Sequence, residues 1–289
     1  MTDVLDELVS LLALERLEEN LFRGQSQDLG WGNVFGGQAL GQALSAAEQT
    51  VPEGRSCHSF HGYFLRVGDA SKPIIYDVDC IRDGKSFTTR RVKAIQSGRP
   101  IFSMAASFQV EEPGYDHQAS MPEAPPPEGL PSDQERTKQY ADKIPKRFHD
   151  RVFGPRPIES RSVDVYSPFA PEKMEPTRRI WVRAVGELPD RPSLHQYLLA
   201  YASDFNLLGA ALQPHGVSWL TPGMQVASLD HAMHFHRPFR FDEWLLYVLE
   251  SPSATGARGL AQGRYYDRSG NLVASTVQEG LIRNRSWGD

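Results

Sequence analysis

Residues 58–64 of the chain are His-Ser-Phe-His-Gly-Tyr-Phe, and residues 231–236 are His-Ala-Met-His-Phe-His. Both runs are rich in aromatic and histidine residues and have the length of a β-strand. A helical stretch precedes each run, at residues 35–47 and 194–212, and a Ser-Gly turn with a further strand follows about 35 residues later. The two halves therefore repeat one order of elements: a strand, a long helix and about four strands. This repetition indicates duplication of one α+β unit.

A proline-rich stretch separates the two halves. Nine of the 21 prolines lie between Pro113 and Pro157, three of them consecutively at residues 125–127. Because proline fixes φ and lacks a backbone N–H, this stretch cannot continue a sheet or a helix for long. The sequence predicts an N-terminal unit at residues 1–112, a connector at residues 113–157 and a C-terminal unit at residues 158–289.

The composition is that of an ordinary globular protein. Of 289 residues, 40% are hydrophobic and 23% are charged. The net charge of −5 argues against a nucleic-acid partner. No apolar run has the roughly 18–20 residues of a membrane-spanning helix, which argues against integral membrane association. Two cysteines, Cys57 and Cys80, are too few for a disulfide framework. The acidic N-terminus does not resemble a signal peptide, so we expect a soluble, cytoplasmic protein.

The second-half helix carries a carboxylate beside its apolar stripe. Apolar residues recur at i, i+3 and i+4 through residues 194–212, which predicts one continuous helix. Asp204 lies three residues after Tyr201 and four before Leu208, at the edge of the stripe. A carboxylate in that place destabilises the fold unless it has partners or a chemical task. The pattern alone also fits a solvated flank of an amphipathic helix.

Two further features suggest binding chemistry. Gly36 and Gly37 open the first-half helix, where glycine permits either a tight turn or a helix N-terminus whose N–H groups face an oxyanion or phosphate. His231, His234 and His236 raise the hypothesis of a metal site. Their strand spacing lacks the helical or turn spacing that is typical of catalytic zinc sites, so we predict no metal site.

Four segments resemble the acyl-CoA thioesterase II family, and the resemblance extends over nearly the whole chain. It implies two tandem hotdog units in one chain, each a long helix wrapped by an antiparallel sheet. It also implies hydrolysis of acyl-CoA, with medium to long acyl chains, to free fatty acid and coenzyme A without a cofactor or metal. The segments are Trp-Gly-Asn-Val-Phe-Gly-Gly-Gln-Ala-Leu at 31–40, His-Ser-Phe-His-Gly-Tyr-Phe-Leu-Arg at 58–66, Ser-Leu-Asp-His-Ala-Met-His-Phe-His-Arg-Pro-Phe at 228–239 and Ala-Ser-Thr-Val-Gln-Glu-Gly at 274–280.

The resemblance also implies the catalytic residues. The aspartate of the family's second helix corresponds to Asp204, its Thr or Ser before the Asp-His pair to Ser228, and its glutamine in the last strand to Gln278. The position in the first half that matches Gln278 is Ala106. We therefore expect one active site per chain.

These residue types suit thioester hydrolysis. A carboxylate such as Asp204 can act as general base on a water molecule, which is worth roughly 10²–10⁴-fold. Ser228 and Gln278 can position that water by hydrogen bonds. The N–H groups of Gly36 or Gly37 can bind the developing oxyanion, provided that the pocket lies between the two halves.

Strand alternation leaves one geometric question open. On ideal strands, Ser228 shares a face with Asp230 and His234, and Gln278 shares a face with Thr276. Both candidates then lie on the more polar face of their strands, and the helix with the carboxylate must reach that face. Either a β-bulge or a pocket at a sheet edge satisfies this requirement.

Two other functions compete with hydrolysis. Hotdog enoyl-CoA hydratases carry Asp-x-Asn-x-x-His, and this chain begins the motif with Asp204 and Asn206 but has Gly209 in place of the histidine. A non-catalytic acyl-CoA-binding protein is the third hypothesis, which the polar trio of Asp204, Ser228 and Gln278 disfavours. Because hotdog units often pair through their sheets, we expect a homodimer or homotetramer.

Overall fold

The computed structural model describes residues 3–146 and 149–287. Its helices are α1 (Asp3–Leu12), α2 (Gly36–Glu48), α3 (Asp133–Lys138), α4 (His149–Phe153), α5 (Pro192–Ser203) and α6 (Gly209–Leu212). Its strands are β1 (Glu15–Glu18), β2 (Leu21–Gly24), β3 (Arg55–Phe64), β4 (Ile74–Asp83), β5 (Phe87–Gln96), β6 (Arg99–Val110), β7 (Ile158–Ser162), β8 (Thr177–Ala184), β9 (Met224–Ser228), β10 (Asp230–Phe235), β11 (Leu245–Thr255), β12 (Arg258–Tyr266) and β13 (Leu272–Asn284).

The two halves repeat the same order of elements. In the first half β1 and β2 precede α2 and β3–β6, and in the second half β7 and β8 precede α5 and β9–β13. All these strands form one antiparallel sheet in the order β1-β2-β4-β5-β6-β3-β10-β13-β12-β11-β8-β7, with β9 also paired to β13. The halves join where β3 pairs with β10, with Phe60 opposite Met233. The sequence repeat therefore corresponds to two helix-and-sheet units that share one sheet.

The long helices of the two units pack against each other in a common core. A Cβ added at Gly37 would lie 2.1 Å from the backbone oxygen of Tyr201, and one added at Gly41 would lie 3.0 Å from that of Tyr197. The two contacts run in opposite directions along the chain, so α2 and α5 are antiparallel. Glycine allows this close approach because a larger side chain would push the helices apart.

Apolar side chains on both helices fill the space between the helices and the sheet. Leu40 and Leu44 on α2, and Leu198 and Leu199 on α5, are 0% exposed and belong to one continuous core. Burying each leucine contributes about 1.5–3 kcal/mol. Within the described residues, no helix is long and apolar enough to cross a membrane.

The second-half helix differs from its sequence prediction. Instead of one helix over residues 194–212, α5 ends at Ser203 and the short α6 begins at Gly209. Asn206 between them has a positive φ of 68°, a conformation that interrupts a right-handed helix and that asparagine tolerates. The prediction of one continuous helix was therefore wrong. The break lies at Asp204.

Candidate active site

Three polar side chains from distant parts of the chain meet at the end of α5. The amide Nε2 of Gln278 on β13 donates to Oδ1 of Asp204 at 2.8 Å and to Oγ of Ser228 at 2.7 Å. Ser228 at the end of β9 in turn donates to the same carboxylate oxygen at 3.4 Å. The structure thus brings together the three residues that the sequence indicated as catalytic candidates.

A β-bulge between β9 and β10 places Ser228. β9 pairs with β13 so that Ser228 lies opposite Gly280, whereas β10 pairs with it so that Ala232 lies opposite Val277. The chain therefore takes four steps from Ser228 to Ala232 while β13 takes three from Gly280 to Val277. Leu229, which lies between β9 and β10, is the extra residue. Of the two arrangements that the sequence left open, the structure has the bulge.

The bulge reverses the face on which Ser228 lies relative to β10. Ser228 shares the helix-facing side with His231 and Met233, both 0% exposed, and not the side of Asp230. Asp230 instead accepts the N–H of Glu279 at 2.7 Å, which satisfies a backbone donor beside the bulge. The prediction that Ser228 shares a face with Asp230 was therefore wrong, because a shift of one residue in the strand exchanges its two faces.

Gln278 occupies the inner face of its strand. Gln278 is 0% exposed and Thr276 is 1% exposed, whereas Val277 between them is 38% exposed. Both hydrogens of the Gln278 amide are used by Asp204 and Ser228. Its Oε1 is buried and has no hydrogen-bond partner among residues 3–146 and 149–287. This oxygen is available to accept a hydrogen bond from a bound water or substrate.

Burial shifts the acidity of the Asp204 carboxyl. Removal from water raises its pKa above the usual value, because the charged form loses hydration. Hydrogen bonds from Gln278, from the backbone of Gly37 and from Ser228 favour the charged form and limit the rise. The result is a carboxylate that is a stronger base than an exposed one but is still held by three donors.

The N-terminus of α2 faces this carboxylate from the other half of the chain. A Cβ at Gly36 would lie 2.6 Å from Oδ2 of Asp204. Phe35, the residue that precedes α2, provides no side-chain cap, so the first N–H groups of the helix lack an acceptor within their own helix. The carboxylate therefore lies against the positive end of the helix dipole. The requirement that the pocket lie between the halves is met.

Comparison with known proteins places the chain in a family. Residues 148–281 match the family model for acyl-CoA thioesterase, and residues 26–109 match that for the acyl-CoA thioesterase N-terminal domain. The chain is 44% identical over 283 residues to acyl-CoA thioesterase 2 of Haemophilus influenzae. The alignment covers 98% of this chain and 99% of the relative. The chain belongs to the acyl-CoA thioesterase family.

Solved structures agree with this assignment. The crystal structure of an acyl-CoA thioesterase II from Mycobacterium marinum is 43% identical and superposes with a TM-score of 0.77, covering 96% of this chain and 98% of that one. A hotdog-fold protein from Alicyclobacillus acidocaldarius, 19% identical, has the same TM-score over 98% and 99% of the two chains and shows the fold alone. The protein is an acyl-CoA thioester hydrolase built from two tandem hotdog units.

A cavity of about 1150 Å³ lies in the same part of the thioesterase, although Asp204, Ser228 and Gln278 are not among the residues that line it. Tyr201, Phe205 and Asn206, which flank Asp204 in the sequence, form part of its wall. Phe205 stacks on Phe35 of the first half with ring centroids 4.3 Å apart. The connector, between residues 133 and 158, supplies much of the remaining lining. The sequence did not reveal this role, because the connector contacts the site only in the folded chain.

The histidines of β10 and His236, which follows the strand, do not converge on one point. His231 is buried, and its Nε2 lies 2.9 Å from Oγ of Ser203, which itself donates to a backbone carbonyl of α5 and so accepts the histidine N–H. His236 contacts Ser275 at 2.9 Å, and His234 is exposed. Among the described residues, no group of three His, Cys, Asp or Glu side chains is arranged to hold a metal ion.

Proposed function

We propose that the thioesterase hydrolyses acyl-CoA by a water molecule that Asp204 activates. The buried, hydrogen-bonded carboxylate carries this proposal, because its pKa is raised by burial while three donors keep it oriented. Oδ2 of Asp204, on the side of Gly36, is the oxygen that takes the proton. Loss of that proton makes the water oxygen nucleophilic towards the thioester carbonyl.

Gln278 and Ser228 hold the water and the base in this mechanism. Since both amide hydrogens of Gln278 are engaged, its free Oε1 accepts a hydrogen bond from the water. Ser228 fixes the orientation of the amide by accepting from Nε2, which leaves Oε1 to the water. The role of Ser228 is therefore positioning, whereas Asp204 moves the proton.

The first turn of α2 supplies the donors for the oxyanion. Of the two glycines that the sequence indicated, Gly37 already donates its N–H to Asp204, so we assign this role to the N–H of Gly36, which has no acceptor inside its helix. One such donor contributes roughly 10²–10³-fold when it is aimed at developing negative charge. Collapse of the tetrahedral intermediate then releases the thiol of coenzyme A and the free acid.

Release of free thiol from acyl-CoA tests the function. With dodecanoyl-CoA as substrate, we expect the purified protein to release one thiol per acid formed, and to do so equally in excess EDTA. Hydration of an enoyl-CoA without thiol release would instead favour a hydratase, and binding without turnover would favour a carrier of acyl-CoA. Abolition of the rate by EDTA, with restoration by zinc, would contradict the cofactor-free mechanism.

Labelled water distinguishes the two chemical routes open to Asp204. In a single turnover in ¹⁸O-water with enzyme in excess, direct attack by water places the label in the released acid. If the carboxylate attacked the thioester, a mixed anhydride would form, and its hydrolysis at the aspartyl carbonyl would leave the label in Asp204. Recovery of ¹⁸O in the peptide that contains Asp204 would refute activation of water.

We further propose the setting in which the reaction occurs. The substrates are acyl-CoA molecules with medium to long chains, which the size of the cavity supports. The enzyme acts in fatty acid metabolism in the cytoplasm, as a homodimer or homotetramer. The chain is divided into a hotdog unit at residues 1–112, a connector at 113–157 and a catalytic hotdog unit at 158–289.

A further inference from the structure

A buried arginine without a partner lies in the wall of the cavity. Arg178 on β8 is 4% exposed. Within residues 3–146 and 149–287, its Nε and Nη1 atoms have no hydrogen-bond partner. A guanidinium stays charged in proteins, and a buried charge without a counter-ion is costly. Its presence indicates that a ligand supplies the missing partner.

The surroundings of Arg178 fix the direction of its guanidinium. The group lies over the ring of Tyr166, with the central carbon 5.1 Å from the ring centroid. Its Nη1 would be 2.9 Å from a Cβ at Gly209, so the absence of a side chain at the start of α6 makes room for it. The side chain is therefore held in place before any ligand binds.

The carboxylates close to Arg178 are engaged elsewhere. Asp133 and Asp164 both raise its pKa by their charge, although burial lowers it more. Oδ1 of Asp133 accepts the backbone N–H of Ser162 at 2.9 Å, and Asp164 forms a two-pronged ion pair with Arg179. Among the described residues, neither carboxylate comes within 4.0 Å of the Arg178 guanidinium.

Two more polar groups of the same cavity also lack partners. Nε of Arg136 and Oγ of Ser167 are buried and, in the part of the chain that the structure describes, make no hydrogen bond. Arg136 uses its Nη2 to donate to the backbone oxygen of Ser162 at 3.1 Å, which leaves Nε for another acceptor. Three side chains thus present unused donors to one cavity, a convergence that is typical of a binding site.

We propose that Arg178, Arg136 and Ser167 form an anion subsite that binds carboxylate or phosphate oxygens of the substrate. A guanidinium fork suits either group, because both present two oxygens at matching spacing. An acyl-CoA can offer a carboxylate at the far end of its acyl chain, or the phosphates of coenzyme A. The proposal rests on the proposed function, since the cavity is assigned to the substrate because Tyr201, Phe205 and Asn206, the neighbours of Asp204 in the chain, line it.

Three variants test the subsite. Arg178→Met removes the charge at similar length, Arg178→Lys keeps the charge without the fork, and Arg264→Met is the control. Arg264 is a partly exposed arginine of β12 that pairs with Glu250. For each protein we would measure kcat/KM with dodecanoyl-CoA and with the mono-CoA thioester of dodecanedioic acid. Calorimetry would give the affinities for dodecanedioate, dodecanoate, coenzyme A and pantetheine.

The two sources of the anion give different results. If the acyl chain carries it, Arg178→Met lowers kcat/KM for the dicarboxylic substrate by about tenfold or more and leaves that for dodecanoyl-CoA within about twofold. If coenzyme A carries the anion, Arg178→Met lowers kcat/KM equally for both substrates. It also weakens the binding of coenzyme A but not that of pantetheine. In either case Arg178→Lys is intermediate and Arg264→Met is unchanged. Both patterns support the subsite.

Loss of stability without loss of recognition overturns the proposal. Removing an unpaired buried charge is expected to keep or raise the Tm, so a Tm of Arg178→Met below that of Arg264→Met with unchanged affinities would show a structural role. Unchanged kinetics and affinities in Arg178→Met would also overturn the proposal, whatever the Tm of the variant. If the native protein hydrolysed neither thioester, the proposed function would fail. The affinities for dodecanedioate and coenzyme A would still decide whether an anion subsite exists.

Discussion

At the scale of single residues, the site is organised around one carboxylate and one amide. Both amide hydrogens of Gln278 form hydrogen bonds within the site, and its buried Oε1 has no partner among the residues that the structure describes. Asp204 is made more basic by burial and is restrained by its donors. Ser228 contacts both, at 2.7 Å from the amide and 3.4 Å from the carboxylate. The three side chains therefore have unequal roles, which substitution can separate.

Substitution of the base should cost far more activity than substitution of the hydroxyl. We expect Asp204→Asn to lower kcat by about 10²–10⁴-fold, because it removes the proton acceptor. Ser228→Ala should lower it by roughly tenfold, the worth of one hydrogen bond of about 1–1.5 kcal/mol. Steady-state hydrolysis of dodecanoyl-CoA measures both, with Asp77→Asn, an exposed aspartate of β4, as control. Equal losses in the two variants would mean that Asp204 is not the sole base.

The same substitution should stabilise the fold at neutral pH. The pKa of Asp204 is raised in the folded state, so ionisation of this group destabilises the protein as pH rises through that value. Asn at this position avoids the penalty, and the Tm of Asp204→Asn should exceed that of the native protein at pH 7–8. The difference should diminish as pH falls below the raised pKa, where the native carboxyl is protonated. A lower Tm for the variant at neutral pH would contradict this expectation.

The pH dependence of catalysis should report the same carboxyl group. We expect kcat/KM to rise with pH through a pKa above the usual value for aspartate, because only the ionised form accepts a proton. Among the donors, Gln278 lowers this pKa most. Gln278→Ala should therefore move the acid limb to higher pH, and Ser228→Ala should move it less. An acid limb that does not respond to Gln278→Ala would assign the titration to another group.

At the scale of elements, a helix end and a strand irregularity form the site. Asp204 is the C-cap of α5 and keeps helical backbone angles, with φ −76° and ψ −16°. Its carboxylate meets the first turn of α2. The bulge at Leu229 turns Ser228 towards the helices, and without it the hydroxyl would point away from the carboxylate.

Close packing of α2 against the carboxylate can be tested with a single methyl group. Gly36→Ala would place its Cβ 2.6 Å from Oδ2 of Asp204 and 2.9 Å from the ring of Phe64, so we expect the carboxylate to be displaced. Activity should fall by at least tenfold with a modest change in Tm. Gly114→Ala, where a Cβ has open space, is the control. A Gly36→Ala enzyme with native kcat would remove α2 from the mechanism.

At the scale of the whole molecule, the two units differ at the strand position that Gln278 occupies in the second unit. Ala106 on β6 lies opposite Arg90 on β5, as Gln278 lies opposite Ala261. Arg90 is 1% exposed and donates to Oγ1 and the backbone oxygen of Thr50, just beyond the end of α2. A guanidinium therefore occupies the end of the first-half helix, where the second half has its carboxylate.

We accordingly expect one catalytic centre per chain. Titration with a tight, non-hydrolysable acyl-CoA analogue should abolish activity at one equivalent per chain. In the Asp204→Asn background, Ala106→Gln should restore no hydrolysis, because the guanidinium of Arg90 lies where the second half has its carboxylate. Complete inhibition that requires two equivalents, or recovered turnover in the double variant, would show that the first half is also catalytic.

The sequence by itself determined the repeated α+β units, the two long helices and the identity of the three catalytic candidates. Apolar periodicity predicts helices because it is a local property, and the family resemblance depends on residue types in order along the chain. The same information placed Gly36 and Gly37 at a helix N-terminus. It could not place them against Asp204, which lies more than 160 residues away.

Only the tertiary structure decided how these residues meet. A helix break at Asp204 and a one-residue bulge at Leu229 leave the apolar pattern almost unchanged, so local spacing cannot reveal them. Packing between the halves selects them, because it satisfies a buried carboxylate with donors from α2, β9 and β13. The cavity and the burial of Arg178 in its wall arise in the same way. Burial is a property of contacts between distant segments, and a linear pattern does not contain it.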